Sequence, residues 1–207
     1  MLAGLLKTRA SSKRHYVIVM AFAIVLIAVG GCIYIFVQKN EVWEYSVPVE
    51  LEFATSQFTR SQPIRLEIPA LTIDTTFVLP LGLMPDQTVS VPDSYEQVGW
   101  YSGGVSPGEV GPSVILGHVD SVDGPAVFYS LGELKTGDEI RVTREDGTRV
   151  IFTVTSVKRY PQSNFPTLEV YGPTNAPTLR LVTCSGLFDK STRRYSHNLV
   201  IFAELKQ

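Results

Sequence analysis

Two cysteines and three histidines are all that this 207-residue chain has of the side chains that most often carry nucleophilic or metal chemistry. One cysteine with scattered His and Asp shows no ligand spacing, which argues against a metal centre. The glycine-rich cradle that holds phosphates is missing, and nothing calls for a cofactor. Repeats and low-complexity tracts are lacking too, and helical periodicity is sparse. A net charge of −2 offers no basic surplus for nucleic acid. Acidic residues are missing altogether from positions 1–39, which carry Lys7, Arg9, Lys13, Arg14 and Lys39. The rest of the chain then holds 13 basic against 20 acidic side chains, a net of −7. Portions so different in charge face different surroundings.

What is present begins with YVIVMAFAIVLIAVGGCIYIFV, an uncharged run at 16–37. It is long enough to cross a hydrocarbon core of ~30 Å as a helix. A cleaved signal peptide is the rival reading, but the run exceeds a usual signal core and no small-x-small site follows it before Lys39. A retained signal anchor is expected. Four basic residues before the span, against Lys39 after it, put the N-terminus in the cytoplasm and the remainder outside the cell membrane. The expected organisation is a basic cytoplasmic N-terminus at 1–15, the anchor at 16–37, a stalk at 38–62 and a packed domain at 63–207.

Within that domain the signals are those of short strands. Residues 64–68 and 71–79 read as two strands broken by Pro69 and Pro80. Ser113-Val114-Ile115-Leu116-Gly117-His118 is an apolar strand ending on a histidine. A short helix is expected over 126–134. Strands at 139–144 and 148–157 alternate around Asp146-Gly147, a strong hairpin signal. Residues 158–177 read as a long loop. Thr178-Leu179-Arg180-Leu181-Val182-Thr183-Cys184 alternates as a strand, with Arg180, Val182 and Cys184 on one face. A loop at 185–197 and a last strand at 199–205 follow. Seven or eight such strands predict an all-β, closed or nearly closed barrel with short helices.

Cys32 lies in the expected membrane span, so Cys184 is the only thiol of an exported domain and has no disulfide partner there. Outside the cytoplasm a lone thiol is a liability unless buried or used. A cysteine nucleophile needs a base or cation to raise its thiolate fraction. His15 precedes the span, which leaves His118 and His197. His118 ends an apolar strand beside Gly117, a residue that lets another group approach closely. His197 reads as a solvated loop residue. Acyl transfer also needs a group to hold the developing oxyanion, and Arg193 or Arg194, just past the cysteine, could swing a guanidinium back toward it.

Taken together these residues resemble a sortase, the cysteine transpeptidase family of bacterial surfaces. The family pattern Thr-Leu-x-Thr-Cys is met by Leu181-Val182-Thr183-Cys184, with Arg180 in place of the first Thr, and Gly117-His118-Val119-Asp120-Ser121 resembles the family's histidine segment. Gly99-Trp100-Tyr101, Gly124-Pro125-Ala126-Val127-Phe128-Tyr129, Phe165-Pro166 and Cys184-Ser185-Gly186-x-Phe188-Asp189 are similar to its class F branch. The resemblance spans roughly 64–204. It implies an eight-stranded barrel in which Cys184 attacks the Thr–Gly carbonyl of an LPxTG-like sorting signal. His118 serves as acid and base, and an arginine holds substrate and oxyanion. A thioacyl enzyme would be resolved by an amine of a peptidoglycan precursor or another surface protein such as a pilin. Thr183 and Arg194 would contact the substrate. Many sortases place the arginine just before the last strand, where this chain has Asn198; the Arg-x-Tyr spacing to Tyr195 favours Arg193, with Arg194 the alternative. A cysteine peptidase ending in hydrolysis and a non-catalytic binding barrel are the competing readings.

Overall fold

The computed structural model describes residues 58–206. Its strands are β1 (Pro63–Ile68), β2 (Ile73–Thr76), β3 (Gly99–Trp100), β4 (Gly111–Leu116), β5 (Asp120–Ser121), β6 (Gly124–Pro125), β7 (Glu139–Arg144), β8 (Arg149–Pro161), β9 (Pro177–Asp189) and β10 (Arg194–Leu205). Eight of them form one sheet in the order β2-β1-β7-β8-β10-β9-β4-β3. The closed or nearly closed barrel expected from sequence is corrected here to an open, half-barrel sheet with β2 and β3 at its edges. Isolated bridges, Phe77 to Val98 and Leu81 to Tyr101, reach across the gap without making a ladder. The reason is local: Pro80 has no N–H to donate, and a two-residue β3 has too few groups to build a continuous edge.

The Asp146-Gly147 hairpin is where the sequence places it. Gly147 takes φ +80°, and Asp146 Oδ1 accepts from the Thr148 amide at 2.9 Å and its hydroxyl at 2.6 Å. Other expectations change. Residues 126–134 form no α-helix, only a 3-10 turn at Leu131–Glu133. The expected loop at 158–177 instead continues β8 to Pro161 and holds a one-turn helix, α1 (Thr167–Tyr171). The anchor expected at 16–37 lies outside the described residues, and no helix among those described is long and apolar enough to cross a membrane.

The central strands are buried on both faces. Leu179, Leu181, Leu199 and Ile201 join Leu66, Ile115, Phe128, Ile140 and Phe152 in the main core. Their alternate neighbours Val182, Val200 and Phe202 pack with Val114, Leu116 and Val170 of α1 in a second cluster. This explains the continuous apolar run of β4, whose six residues are all buried. Residues 58–62, at the end of the expected stalk, are hydrogen-bonded into the domain. The wholly buried Arg144 donates to the Pro107 and Thr59 carbonyls and pairs with Asp146, while Arg60 donates to the Ser102 and Gly104 carbonyls.

Candidate active site

β4 runs parallel to β9, from Gly111 opposite Pro177 to Leu116 opposite Val182. One more bond, the Gly117 amide to the Val182 carbonyl at 3.2 Å, ends this pairing. Cys184 stands two residues further along β9, with a neighbour only on its other side, where it faces Asn198 of β10. The strand does not end at the cysteine, as the sequence reading had it; β9 continues to Asp189. Access comes from the neighbour stopping short. β4 ends at Leu116, so His118 sits two residues beyond the strand rather than within it, in the gap left beside Cys184.

Gly117 makes that departure possible. A Cβ there would lie 2.5 Å from the Phe128 ring, so the close approach expected of this glycine is made by a core aromatic. The imidazole of His118 is held from the opposite wall. Its Nε2 lies 2.8 Å from the Pro92 carbonyl, which can only accept, so Nε2 donates that bond and Nδ1 is the nitrogen left to face other partners. Tyr95 packs on the imidazole with ring centroids 4.6 Å apart. No hydrogen bond joins His118 to Cys184 among the described residues.

Cys184, His118, Arg193, Arg194 and Asn198 line one cavity of about 780 Å³, the volume range of pockets that take small molecules or peptide segments. Its apolar wall includes Leu116, Val182, Tyr101, Phe165 and Tyr171, and the 83–92 loop forms the facing side. Arg193 ends the β9–β10 turn with φ +56°, a conformation uncommon outside glycine. Asp189 organises that turn by accepting from Ser191 and Thr192, which holds its carboxyl down at about 2. Arg193 and Arg194 both line the cavity, and neither is in an ion pair among the described residues. Asn198 Oδ1 accepts from Gln162.

Cys184 is half-buried. Burial, and then the carboxylate of Asp120, push its thiol above the ordinary range, which favours the protonated sulfur over the thiolate. Asp120 itself accepts from the Tyr195 hydroxyl; burial and this bond raise Tyr195 to about 12. His197 is on β10 rather than in a loop and contacts Ser196 Oγ at 2.7 Å, away from the cavity's lining. Thr183 is buried with its hydroxyl unpartnered. The sequence reading missed Pro92 and Tyr95, whose only signals were turn residues, and noted Asp120 without a role. No group of His, Cys, Asp and Glu among the described residues could hold a metal.

Cys184, His118, Arg193 and Arg194 thus line one groove on a mostly β half-barrel, the residue types that cysteine-based acyl transfer calls for. The chain belongs to the sortase family: a family model described as a sortase domain matches residues 66–206, more than half of the sequence. Solved structures with the same fold include sortase A from Corynebacterium diphtheriae, in a lid mutant, at 18% identity over 73% of each chain with a TM-score of 0.54. Sortase C-1 from Actinomyces oris is 20% identical over 69% of this chain and 73% of that one, TM-score 0.51. A Clostridium perfringens sortase D5 transpeptidase is 20% identical over 71% and 79%, TM-score 0.53. No curated protein sequence matches the chain.

Proposed function

We propose that this sortase is a membrane-anchored transpeptidase of the class F kind that cleaves an LPxTG-like sorting signal and transfers the protein to an amine. The observation that carries the reading is the convergence of Cys184, His118, Arg193 and Arg194 on one peptide-sized groove. Cys184 passes its proton to His118 and its sulfur attacks the Thr–Gly carbonyl carbon. The C–S bond forms, the C–N bond breaks, and the imidazolium gives its proton to the departing amine. The acceptor amine then attacks the thioester. A new C–N bond forms, the sulfur leaves as thiolate, and His118 takes the proton lost by nitrogen. Arg193 donates to the oxyanion in both steps, with Arg194 on the substrate backbone. Burial opposes thiolate formation, so the imidazolium and guanidinium charges must offset it when substrate fills the groove.

The anchor at 16–37 places the N-terminus in the cytoplasm and this groove outside, where surface proteins bearing sorting signals pass. The test is to incubate the full chain in detergent with an LPxTG peptide, with and without triglycine. A ligated peptide is expected only with triglycine, and Cys184→Ala loses cleavage and ligation together. Activity retained by Cys184→Ala refutes the reading, and cleavage that never yields ligated product makes the protein a peptidase.

A further inference from the structure

Asn198 is the residue of β10 that stands directly opposite Cys184. Side chains opposite one another on antiparallel strands share a face, with Cβ atoms roughly 5 Å apart. Both residues line the large cavity, so the Asn198 amide lies beside the sulfur on the groove side of the sheet. The two arginines begin much further off. Arg194 is opposite Asp189, and the strand from Cys184 to Asp189 rises roughly 16 Å.

The amide of Asn198 is oriented from its other side. Gln162 follows β8, whose last residue Pro161 is opposite His197, and its Nε2 donates to Asn198 Oδ1 at 3.2 Å. With Oδ1 engaged as the acceptor, Nδ2 carries two N–H donors. It donates no hydrogen bond among the described residues. Asn198 is half-buried, yet Nδ2 is not among the sealed polar atoms that lack a partner. This unused donor therefore reaches solvent, and the space it borders is the cavity. Cys184 thus has an imidazole in the gap left by β4 and an amide N–H pair on the β10 side.

We infer that Asn198 Nδ2 is an oxyanion donor of this site, with Gln162 as its positioning residue. The inference rests on the acyl-transfer reading given above and adds a donor to Arg193. As the sulfur attacks, the C–S bond forms and the carbonyl π pair moves onto oxygen, where an Nδ2 N–H donates to it. The pair returns when the C–N bond breaks, and His118, on the opposite flank, gives its proton to the departing nitrogen. The same N–H serves the second attack, on the thioester carbonyl. A primary amide carries no charge, so it stabilises the oxyanion without drawing the resting thiol toward thiolate.

Two reagents separate this donor from the thiol itself. p-Nitrophenyl acetate acetylates Cys184 through a tetrahedral oxyanion, whereas methyl methanethiosulfonate forms a disulfide and involves no carbonyl. Both rates are read on the Cys184 peptide of the full chain in detergent by mass spectrometry, and their ratio cancels changes in thiol ionisation. Asn198→Ala is expected to lower the acetylation-to-disulfide ratio roughly 100-fold, as for loss of one oxyanion donor. Asn198→Asp keeps the size but puts an acceptor where the donor was, and is expected to lose at least as much. Gln162→Leu keeps the donor but frees its orientation, so a smaller loss in the same direction is expected. A purely structural Asn198 would slow both reagents alike. An unchanged ratio in either Asn198 variant overturns the inference, whether or not an LPxTG peptide is cleaved. A ratio that falls as expected in a protein whose wild type cleaves no such peptide sinks the sorting-signal reading and leaves the donor standing.

Discussion

Cys184 is poised against ionisation, and the direction of that effect makes a prediction. Its thiol is raised first by burial and then by the negative charge of Asp120; a neighbouring anion disfavours the thiolate. Removing that charge in Asp120→Asn therefore lowers the thiol's titration point. The rate of modification by a neutral methanethiosulfonate, followed against pH, should rise at lower pH than in wild type. A curve displaced upward, or not displaced, contradicts the assignment. The two arginines can be separated at the same scale. Arg193→Ala should lower ligation by roughly 100-fold, as for loss of an oxyanion donor, with Arg194→Ala weakening peptide binding more than turnover. Measured kcat and KM for the two variants decide it, and a reversed pattern exchanges the roles.

Among the elements, the β4–His118 transition decides whether the site exists. β9 supplies the cysteine from the middle of a thirteen-residue strand, a position held by continuous pairing with β10 from Thr178 to Ser185, just before a register shift. The imidazole arrives because β4 stops at Leu116 and Gly117 lets the chain pass the Phe128 ring. Gly117→Ala forces a methyl group into that ring, and overpacking of this kind costs about 1–3 kcal/mol. The expected outcome is a lower urea midpoint together with a larger loss of activity than of folded protein at 25 °C, because His118 is the next residue. Unchanged midpoint and activity would mean that Phe128 moves aside freely. The 92–95 segment completes the imidazole's surroundings, through the Pro92 carbonyl and the Tyr95 ring.

Across the whole molecule, stability depends on a strap that precedes β1. Arg144, with no exposed surface, holds the Thr59 and Pro107 carbonyls and the Asp146 carboxylate, and lies over the Phe58 ring at 5.4 Å. Arg144→Met keeps most of the volume but removes those bonds; of the acceptors only the Pro107 carbonyl belongs to a buried residue, and leaving one buried acceptor unpaired costs about 1–3 kcal/mol before relaxation. A drop of roughly 2–4 kcal/mol in urea unfolding is expected, and a chain begun at Pro63 should show a loss in the same direction. Stability equal to wild type in both would show that the strap is decorative. The interior beneath it is the two-faced sheet, with Ile201 in one cluster and Val200 in the other.

The sequence by itself determined the local features. The Asp146-Gly147 turn, the alternation that puts Val182 and Cys184 on one face and Leu181 on the other, and the glycine before His118 are all encoded within a few residues. Cys184 and His118 were singled out because the chain offers so few thiols and imidazoles, and both line one cavity. Tertiary structure alone decided the rest, because those contacts join distant parts of the chain. The parallel pairing of β4 with β9 brings Leu116 opposite Val182, and no spacing rule reports where that pairing stops. Its end creates the opening beside Cys184, which the sequence had assigned to the end of the cysteine's own strand. The Asp120–Tyr195 contact likewise forms only when the His118 segment and the β9–β10 turn meet. Closure of the sheet depended on whether two short edges could satisfy each other's backbone groups, and Pro80 with a two-residue β3 left it open.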